Sequence, residues 1–222
     1  MAPAAVKHLN TTGTDHILSQ KRFQRKADMH AHWHLKHVAE MLNHLVDRYG
    51  FDRLVLAGPV EATSELSHLL SKRVRARVVG RITLPIEANE HEVLAETLKL
   101  EQQVERETEK QLVEELIAAD GHHPVRLGLE STVRVLAEGR IWRLVYASGF
   151  RSRGGQCSNC AMLFARTGGP CDYCGAALAP FDDLVEQMAE QVLESGGKVE
   201  EVVGDAAIRL PQAGGIGAIL RF

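Results

Sequence analysis

The residues best equipped for chemistry are four cysteines confined to 18 positions of the chain. Cys157-x2-Cys160, ten residues, then Cys171-x2-Cys174-Gly175 makes two knuckles at close range. Each knuckle can turn two thiolates onto one ion, and two such pairs complete a tetrahedral sulfur site. Gly175 suits the tight turn behind the second pair. Four thiolates that leave no open position make a closed site, so the expected ion is a structural zinc (Zn2+) that holds a shape and does no chemistry. Disulfides or four inert thiols would require the spacing to be a coincidence. Clustering of so few cysteines also points to a reducing, cytoplasmic setting.

A second group is cationic. Lys21-Arg22-Phe23-Gln24-Arg25-Lys26 puts four cations and one aromatic into six residues. Lys21, Arg22, Arg25 and Lys26 are therefore the candidate RNA-binding residues. Lys72, Arg73, Arg75, Arg77 and Arg81 form another acid-free stretch, and Arg140, Arg143, Arg151, Arg153 and Arg166 a third. These two could face RNA, or could equally be charges on solvated strand edges. His30, His34 and His37 share a helix face and could bind a metal as an i, i+4 pair, but no HExxH arrangement is present. A polar flank beside an apolar stripe is the simpler account of them. No nucleophile motif, P-loop or GxGxxG occurs. Gly214-Gly215-Ile216-Gly217 runs into a strand rather than opening a helix, so it fails as a dinucleotide fingerprint.

The elements that must position these groups follow from periodicity. From Ser19 to Tyr49, Ala27, Ala31, Leu35, Val38, Leu42 and Leu45 recur at helical spacing, and Gly50 stops the helix. Asp52–Ala57 is a short apolar run, Glu61–Lys72 a helix, and Val74–Leu84 a strand closed by Pro85. Asn89 is placed to cap a long helix whose stripe is Val93, Leu94, Leu98, Val104, Leu112 and Leu116. After a break at Asp120–Pro124, a helix over Glu130–Ala137 stops at Gly139, and a strand covers Ile141–Ala147. A Gly- and Cys-rich stretch follows, then a helix over Pro180–Leu193, a strand at Lys198–Val203 and a terminal strand before Phe222. The expected class is α/β with two α/β domains. Their bounds are an irregular tail at 1–19, a first domain at 20–120, and a second at 125–222 with a zinc insertion at about 150–178.

Composition narrows the classes. The 222 residues hold 26 Lys and Arg against 29 Asp and Glu, a net charge of −3, with 45% hydrophobic residues. That is globular composition, with no apolar run long enough for a membrane span and no secretory signal. The near-neutral total excludes bulk electrostatic binding of nucleic acid, including a DNA partner, but not a local basic patch. Residues 87–120 carry eleven acids and three bases, most simply a solvated helix face.

Several of these stretches resemble one family. Gly214-Gly-Ile-Gly-Ala-Ile-Leu-Arg-Phe222 resembles the C-terminal signature of archaeal and eukaryotic class-1 peptide chain release factors. The paired knuckles between a strand and a helix resemble the zinc-bearing minidomain of the archaeal members. Gln20-Lys-Arg-Phe-Gln-Arg25 with its helix resembles the stretch that follows the family's catalytic loop, and Phe51–Pro59 and the strand ending at Pro85 fit the same domain. The His-rich helix resembles the bacterial branch, which includes the ribosome hibernation factor Balon and is related to Pelota. The resemblance implies an RNase H-like middle domain, incomplete at its start, and a C-terminal α/β sandwich resembling kink-turn-binding ribosomal proteins. It further implies an A-site ligand of the ribosome, contacting ribosomal RNA and a translational GTPase such as elongation factor Tu. Where the family has a Gly-Gly-Gln loop before the middle-domain helix, this chain reads Thr14-Asp-His-Ile-Leu-Ser-Gln20. Its one Gly-Gly-Gln, Gly154-Gly155-Gln156, abuts Cys157 in the other domain, where a flexible loop ahead of a knuckle accounts for the glycines. The expectation is therefore a non-catalytic ribosome-associated factor of hibernation or rescue type. The alternatives are a peptidyl-tRNA hydrolase using Gln20 or Gln156, and a zinc-ribbon adaptor for protein partners.

Overall fold

The computed structural model describes residues 14–119 and 124–222, side chains being described at Arg22 and from Gln24 onward. The chain divides into two compact units at Glu101/Gln102.

The first unit opens with α1 (Thr14–Tyr49), which runs to Gly50 at φ +65. The helix begins within the stretch expected to be an irregular tail; residues 1–13 lie outside the described residues. Its apolar stripe is buried only from Leu35 onward, where Ala39 and Val46 enter the core. Ala27 and Ala31 are exposed. Next come β1 (Leu54–Gly58), α2 (Val60–Leu69), the short α3 (Lys72–Arg75) and β2 (Val78–Thr83). β1 and β2 pair in parallel, as a strand–helix–strand crossover dictates. The strand expected from Val74 starts later because Ser71 caps a helical turn: its Oγ accepts from the Val74 amide, and Val74 is fully buried. Ala39, Val46, Leu56, Leu70 and Val74 make the core, with Leu42, Phe51, Leu54, Leu66, Leu69 and Val78 packed against it.

α4 (Glu90–Ala118) starts on a capping box. Asn89 Oδ1 accepts from the amides of His91 and Glu92, and Glu92 Oε2 accepts from the Asn89 amide. Leu94 and Leu98, expected in its buried stripe, are exposed, whereas Leu112, Val113 and Leu116 are buried in the core of the second unit. That packing is why the division falls inside this helix rather than at 120–125; residues 120–123 lie outside the described residues.

The second unit holds β3 (Val125–Leu127), α5 (Leu129–Ala137), β4 (Ile141–Ala147), α6 (Leu184–Glu194), β8 (Lys198–Val202), α7 (Gly204–Arg209), a 3-10 turn (Leu210–Ala213) and β9 (Ile216–Leu220). Between β4 and α6 lie β5 (Gly154–Cys157), β6 (Leu163–Phe164) and β7 (Leu178–Phe181). The main sheet has the order β3-β9-β4-β8, with β9 antiparallel to both neighbours and β4 parallel to β8. One face packs on α5 and α6 through Leu144, Ile216 and Leu220 against Val133, Leu184, Met188 and Val192. The other packs Val145, Ala147 and Val202 against Leu112, Val113, Leu116, Ala206 and Leu210. The sheet is thus covered on both faces. The helix expected from Pro180 begins at Leu184 instead. Leu178–Phe181 is drawn into strand pairing with β5, and Asp183 caps the helix by accepting from the Glu186 amide.

β9 fits between its neighbours because it offers almost bare backbone at one point. A Cβ on Gly217 would stand 2.5 Å from Leu127 Cδ2 and 3.0 Å from the Arg126 carbonyl. Gly217→Ala should therefore destabilise the protein by about 1–3 kcal/mol, read as a lower urea midpoint at unchanged slope.

Candidate functional site

The three short strands β6-β5-β7 form a small antiparallel sheet that carries both cysteine knuckles. The sequence-expected insertion at 150–178 corresponds to this ribbon. It does not stand clear of the unit, because Leu163 of β6 is buried in the same core as Leu184 and Met188.

The four sulfurs converge, lying within 4.8 Å of one another. Cys157 Sγ is 3.4 Å from Cys174 Sγ, and Cys160 Sγ is 3.6 Å from Cys171 Sγ and 3.7 Å from Cys174 Sγ. A disulfide needs about 2.05 Å, so these are four separate thiols. A tetrahedral thiolate site with bonds of about 2.3 Å has sulfur–sulfur edges of about 3.8 Å. The sulfur cage is already that size, and the donor set fits a metal ion.

The backbone supports thiolates. The amides of Asn159 and Cys160 donate to Cys157 Sγ at 3.4 Å each, and the Tyr173 amide donates to Cys171 Sγ at 3.4 Å. The Cys160 amide, then that of Asn159, bring the Cys157 thiol down to about 6 against the opposing effect of burial. At Cys160 the Met162 backbone lowers the thiol, but burial and the three surrounding sulfurs outweigh it and push it up to about 12. That opposition reflects mutual repulsion among closely packed sulfurs.

The two knuckles repeat one turn. The Ala161 amide donates to the Cys157 carbonyl at 3.0 Å, and the Gly175 amide donates to the Cys171 carbonyl at 2.9 Å. Both following residues are left-handed, at φ +57 for Ala161 and +77 for Gly175. Only the second position holds the residue that adopts this conformation without strain. Outside the sulfur cage, Arg166 clamps the second knuckle. It donates to both carboxylate oxygens of Asp172 at 3.0 and 2.6 Å, and to the Pro170 carbonyl at 2.7 Å, while lying over the Phe164 ring.

The Gly-Gly-Gln run is not a flexible loop. Gly154 and Gly155 are buried in β5, and a Cβ on Gly155 would meet the Arg166 carbonyl at 2.7 Å. A Cβ on Gly154 would meet the Phe164 carbonyl at 2.9 Å and Leu184 at 3.0 Å. Close packing, not mobility, requires both glycines.

The basic stretches separate sharply. Arg73 pairs with Asp47, which also holds that carboxyl below its ordinary range. Arg75 donates to the His68 and Leu70 carbonyls at the end of α2, Arg77 to the Phe51 carbonyl, and Arg81 to Ser67 Oγ at 2.7 Å. Arg143 pairs with Glu200, Arg151 with Asp183 and Arg153 with Asp182. Arg140 donates to Glu138 and to the Phe222 carbonyl. Both stretches are therefore largely committed to acceptors within their own unit. On α1, by contrast, Arg22, Arg25 and Lys26 are exposed, with no ion-pair partner among the described residues. The side chains of Gln20, Lys21 and Phe23 lie outside those residues. His30, His32, His34, His37 and His44 of α1 are exposed too, and His32 Nδ1 sits 2.6 Å from Glu65 Oε1. Among the described residues the cysteines are the one cluster of three or more metal-ligating groups.

Residues 1–102 match the model of bacterial archaeo-eukaryotic release factor family 10. That stretch of the chain is similar to the bacterial branch of the release factor superfamily. Among solved structures, the chain is similar to the archaeal Pelota in a model of ribosome-bound Pelota and ABCE1, at 18% identity and TM-score 0.52, covering 85% of this chain and 48% of that one. The C-terminal domain of a peptide chain release factor from Methanosarcina mazei matches at 22% identity and TM-score 0.41, covering 61% and 97%. Dom34 of S. cerevisiae, a translation termination-like factor interacting with Hbs1, matches at 12% identity and TM-score 0.47, covering 78% and 46%. The chain spans about half the length of the Pelota and Dom34 chains. No curated protein matches it.

Two outcomes are expected for this site. Gly175→Ala should cost about 1 kcal/mol in thermal or urea unfolding, whereas Ala161→Gly should cost nothing or stabilise, because only the former introduces a left-handed side chain. Metal loading requires thiolates, for which protons compete, so the ion should be retained at neutral pH and released on acidification. Metal analysis after dialysis across pH 4 to 8, with melting curves before and after chelation, checks this.

Proposed function

We propose that the protein is a non-catalytic translation factor that binds the ribosomal A site, in the manner of hibernation or rescue factors. Similarity of residues 1–102 to a bacterial release factor family supports a ribosomal role, and the fold shared with a ribosome-bound Pelota is consistent with it. The observation that carries the non-catalytic part is Gly154-Gly155-Gln156. The chain's one Gly-Gly-Gln lies in a buried strand, with a carbonyl or core side chain against each glycine, which supports that reading. Gln156 is occupied locally, its Nε2 reaching the Ala161 carbonyl at 3.4 Å.

In this account Lys21, Arg22, Arg25 and Lys26 contact ribosomal RNA. The first unit stands for the RNase H-like middle domain of the family, and the second for the C-terminal sandwich that meets a translational GTPase such as elongation factor Tu. The ion in the ribbon is zinc, held by Cys157, Cys160, Cys171 and Cys174. Four thiolates in a closed tetrahedral cage favour zinc, and with every position filled by sulfur it has a structural role. No helix among the described residues is long and apolar enough to cross a membrane, which fits a factor working on ribosomes.

Sedimentation with purified ribosomes should show binding that weakens steeply with salt, as phosphate contacts require. Programmed ribosomes carrying peptidyl-tRNA should show no release in a single-turnover assay. Release that is lost on Gln156→Ala would overturn the proposal. Metal analysis should give one zinc per chain.

A further inference from the structure

The carboxyl-terminal half of α1 packs on its own unit, and the stretch from Gln24 to His34 has no buried residue. At 100° per residue, Arg22, Lys26, Met29 and Trp33 fall within an arc of about 60°. This arc lies roughly 150° around the helix from the stripe formed by Leu35, Val38, Ala39, Leu42 and Val46. Trp33 is 64% exposed and Met29 55%. An indole on the side of a helix directly away from its core has no packing role in the unit. Any element extending that core would cover Ala27 and Ala31, which continue the buried stripe, and not Trp33. Lys36 Nζ lies 5.7 Å from the indole centroid, over one ring face, leaving the other open. Arg25 flanks the arc, the acid Asp28 falls on the far side, and Glu40, two turns beyond Trp33, falls on the arc at its carboxyl-terminal end.

We infer that this face is a single-stranded RNA platform on which Trp33 stacks an unpaired base while Arg22, Lys26 and Lys36 hold the flanking phosphates. The inference rests on the ribosomal reading for its choice of RNA and goes beyond it in the mode of contact. Cations alone would serve duplex and single strand alike. An exposed aromatic among them is what selects an unstacked base. Charge complementarity decides the partner class: this face lines up three cations and one aromatic ring along about four turns of helix, with Lys36 beside the ring. A membrane-surface helix would instead need a continuous apolar face, and here the positions away from the cations are Ala27, Asp28, Ala31 and His34.

The test uses the full chain and a labelled oligouridylate of about twelve nucleotides. Trp33→Ala should weaken binding roughly tenfold with the salt slope unchanged, and Trp33→Phe should keep most of the affinity. Arg22→Ala and Lys26→Ala should each flatten the slope by about 0.7. Trp33 is exposed, so melting temperatures should not move. Equal binding by Trp33→Ala and the parent chain would overturn the inference. So would preference for an RNA duplex, or binding to phosphatidylglycerol vesicles with no binding to the oligonucleotide. Ribosome sedimentation separates the two levels. Ribosome binding by the parent with no effect of Trp33→Ala on either ligand sinks the platform and leaves the ribosomal proposal standing. Oligonucleotide binding that needs Trp33, with no ribosome binding, does the reverse.

Discussion

The second unit depends on how closely β9 can approach what surrounds it. The strand lies inside the sheet, with β3 on one side and β4 on the other, so both its edges are spent on backbone pairing. Its approach is made of glycine. Gly214, at φ +96, would put a Cβ 2.7 Å from the Gly128 backbone, and Gly215, at φ +75, would put one 2.4 Å from the Phe150 ring. With side chains excluded there, the Gly128 amide reaches the Ile216 carbonyl at 2.8 Å and the Ala147 amide reaches the Gly215 carbonyl at 3.0 Å. Arg221 then closes the strand's end, donating to the carbonyls of Ile141 and Ser195. The terminal signature that marks the family in sequence is thus a packing solution first. Its residues place the sheet on which everything else in the unit is mounted.

The ribbon inherits its position from that sheet and its cohesion from sulfur. It enters the chain between β4 and α6, and Gly154 lies so near Leu184 that the first ribbon strand and the start of α6 are packed as one layer. Its own interior is small. The buried residues are Cys157, Phe164, Cys171 and Leu178, so half of them are cysteines of the sulfur cage. A core of that size does not offset the entropy of ordering about thirty residues, which is the situation in which a structural ion substitutes for burial. The same crowding explains the opposed thiols. Amide donors favour a charge on Cys157, and the remaining sulfurs oppose a second charge on Cys160.

What was legible in the sequence was whatever a local rule decides. Asn89 with Glu92 three residues on gave the start of α4, Gly50 and Gly139 marked the ends of α1 and α5, and the knuckle spacing marked four sulfurs that do converge. What was not legible depended on partners distant in the chain. Pro180 sits in a run with helical spacing, yet strand pairing with Gly155 takes it. Leu94 and Leu98 share a stripe with Leu112 and Leu116, yet only the latter pair meets a core. Charge behaved the same way. Ten cations in two acid-free stretches looked like surface for a polyanion, but most of their guanidinium groups are satisfied by carbonyls and carboxylates of their own unit. A sequence count registers the charge and cannot register its partner. In the short patch on α1, the exposed Arg22, Arg25 and Lys26 have no such partner among the described residues.

That patch raises a physical question: how a helix half with nothing buried stays helical. Helix formation is limited by nucleation, and extension of an existing helix fixes one residue per hydrogen bond. In α1 the nucleus is the half from Leu35 to Tyr49, held by Ala39 and Val46 in the core and by Asn43, whose Oδ1 accepts from Ser71 Oγ at 2.6 Å. The turns ahead of it are extension alone, and Gln24, Arg25, Lys26, Ala27 and Met29 are residues for which extension is favourable. No core contact is required, so every side chain there is released from packing and can be chosen for what it meets outside. A segment with that freedom places arginine, lysine and tryptophan along one line, opposite the buried stripe, and so leaves them free to meet something outside the unit. Helical periodicity supplies the alignment, and the anchored half supplies the rigidity that holds the line in place.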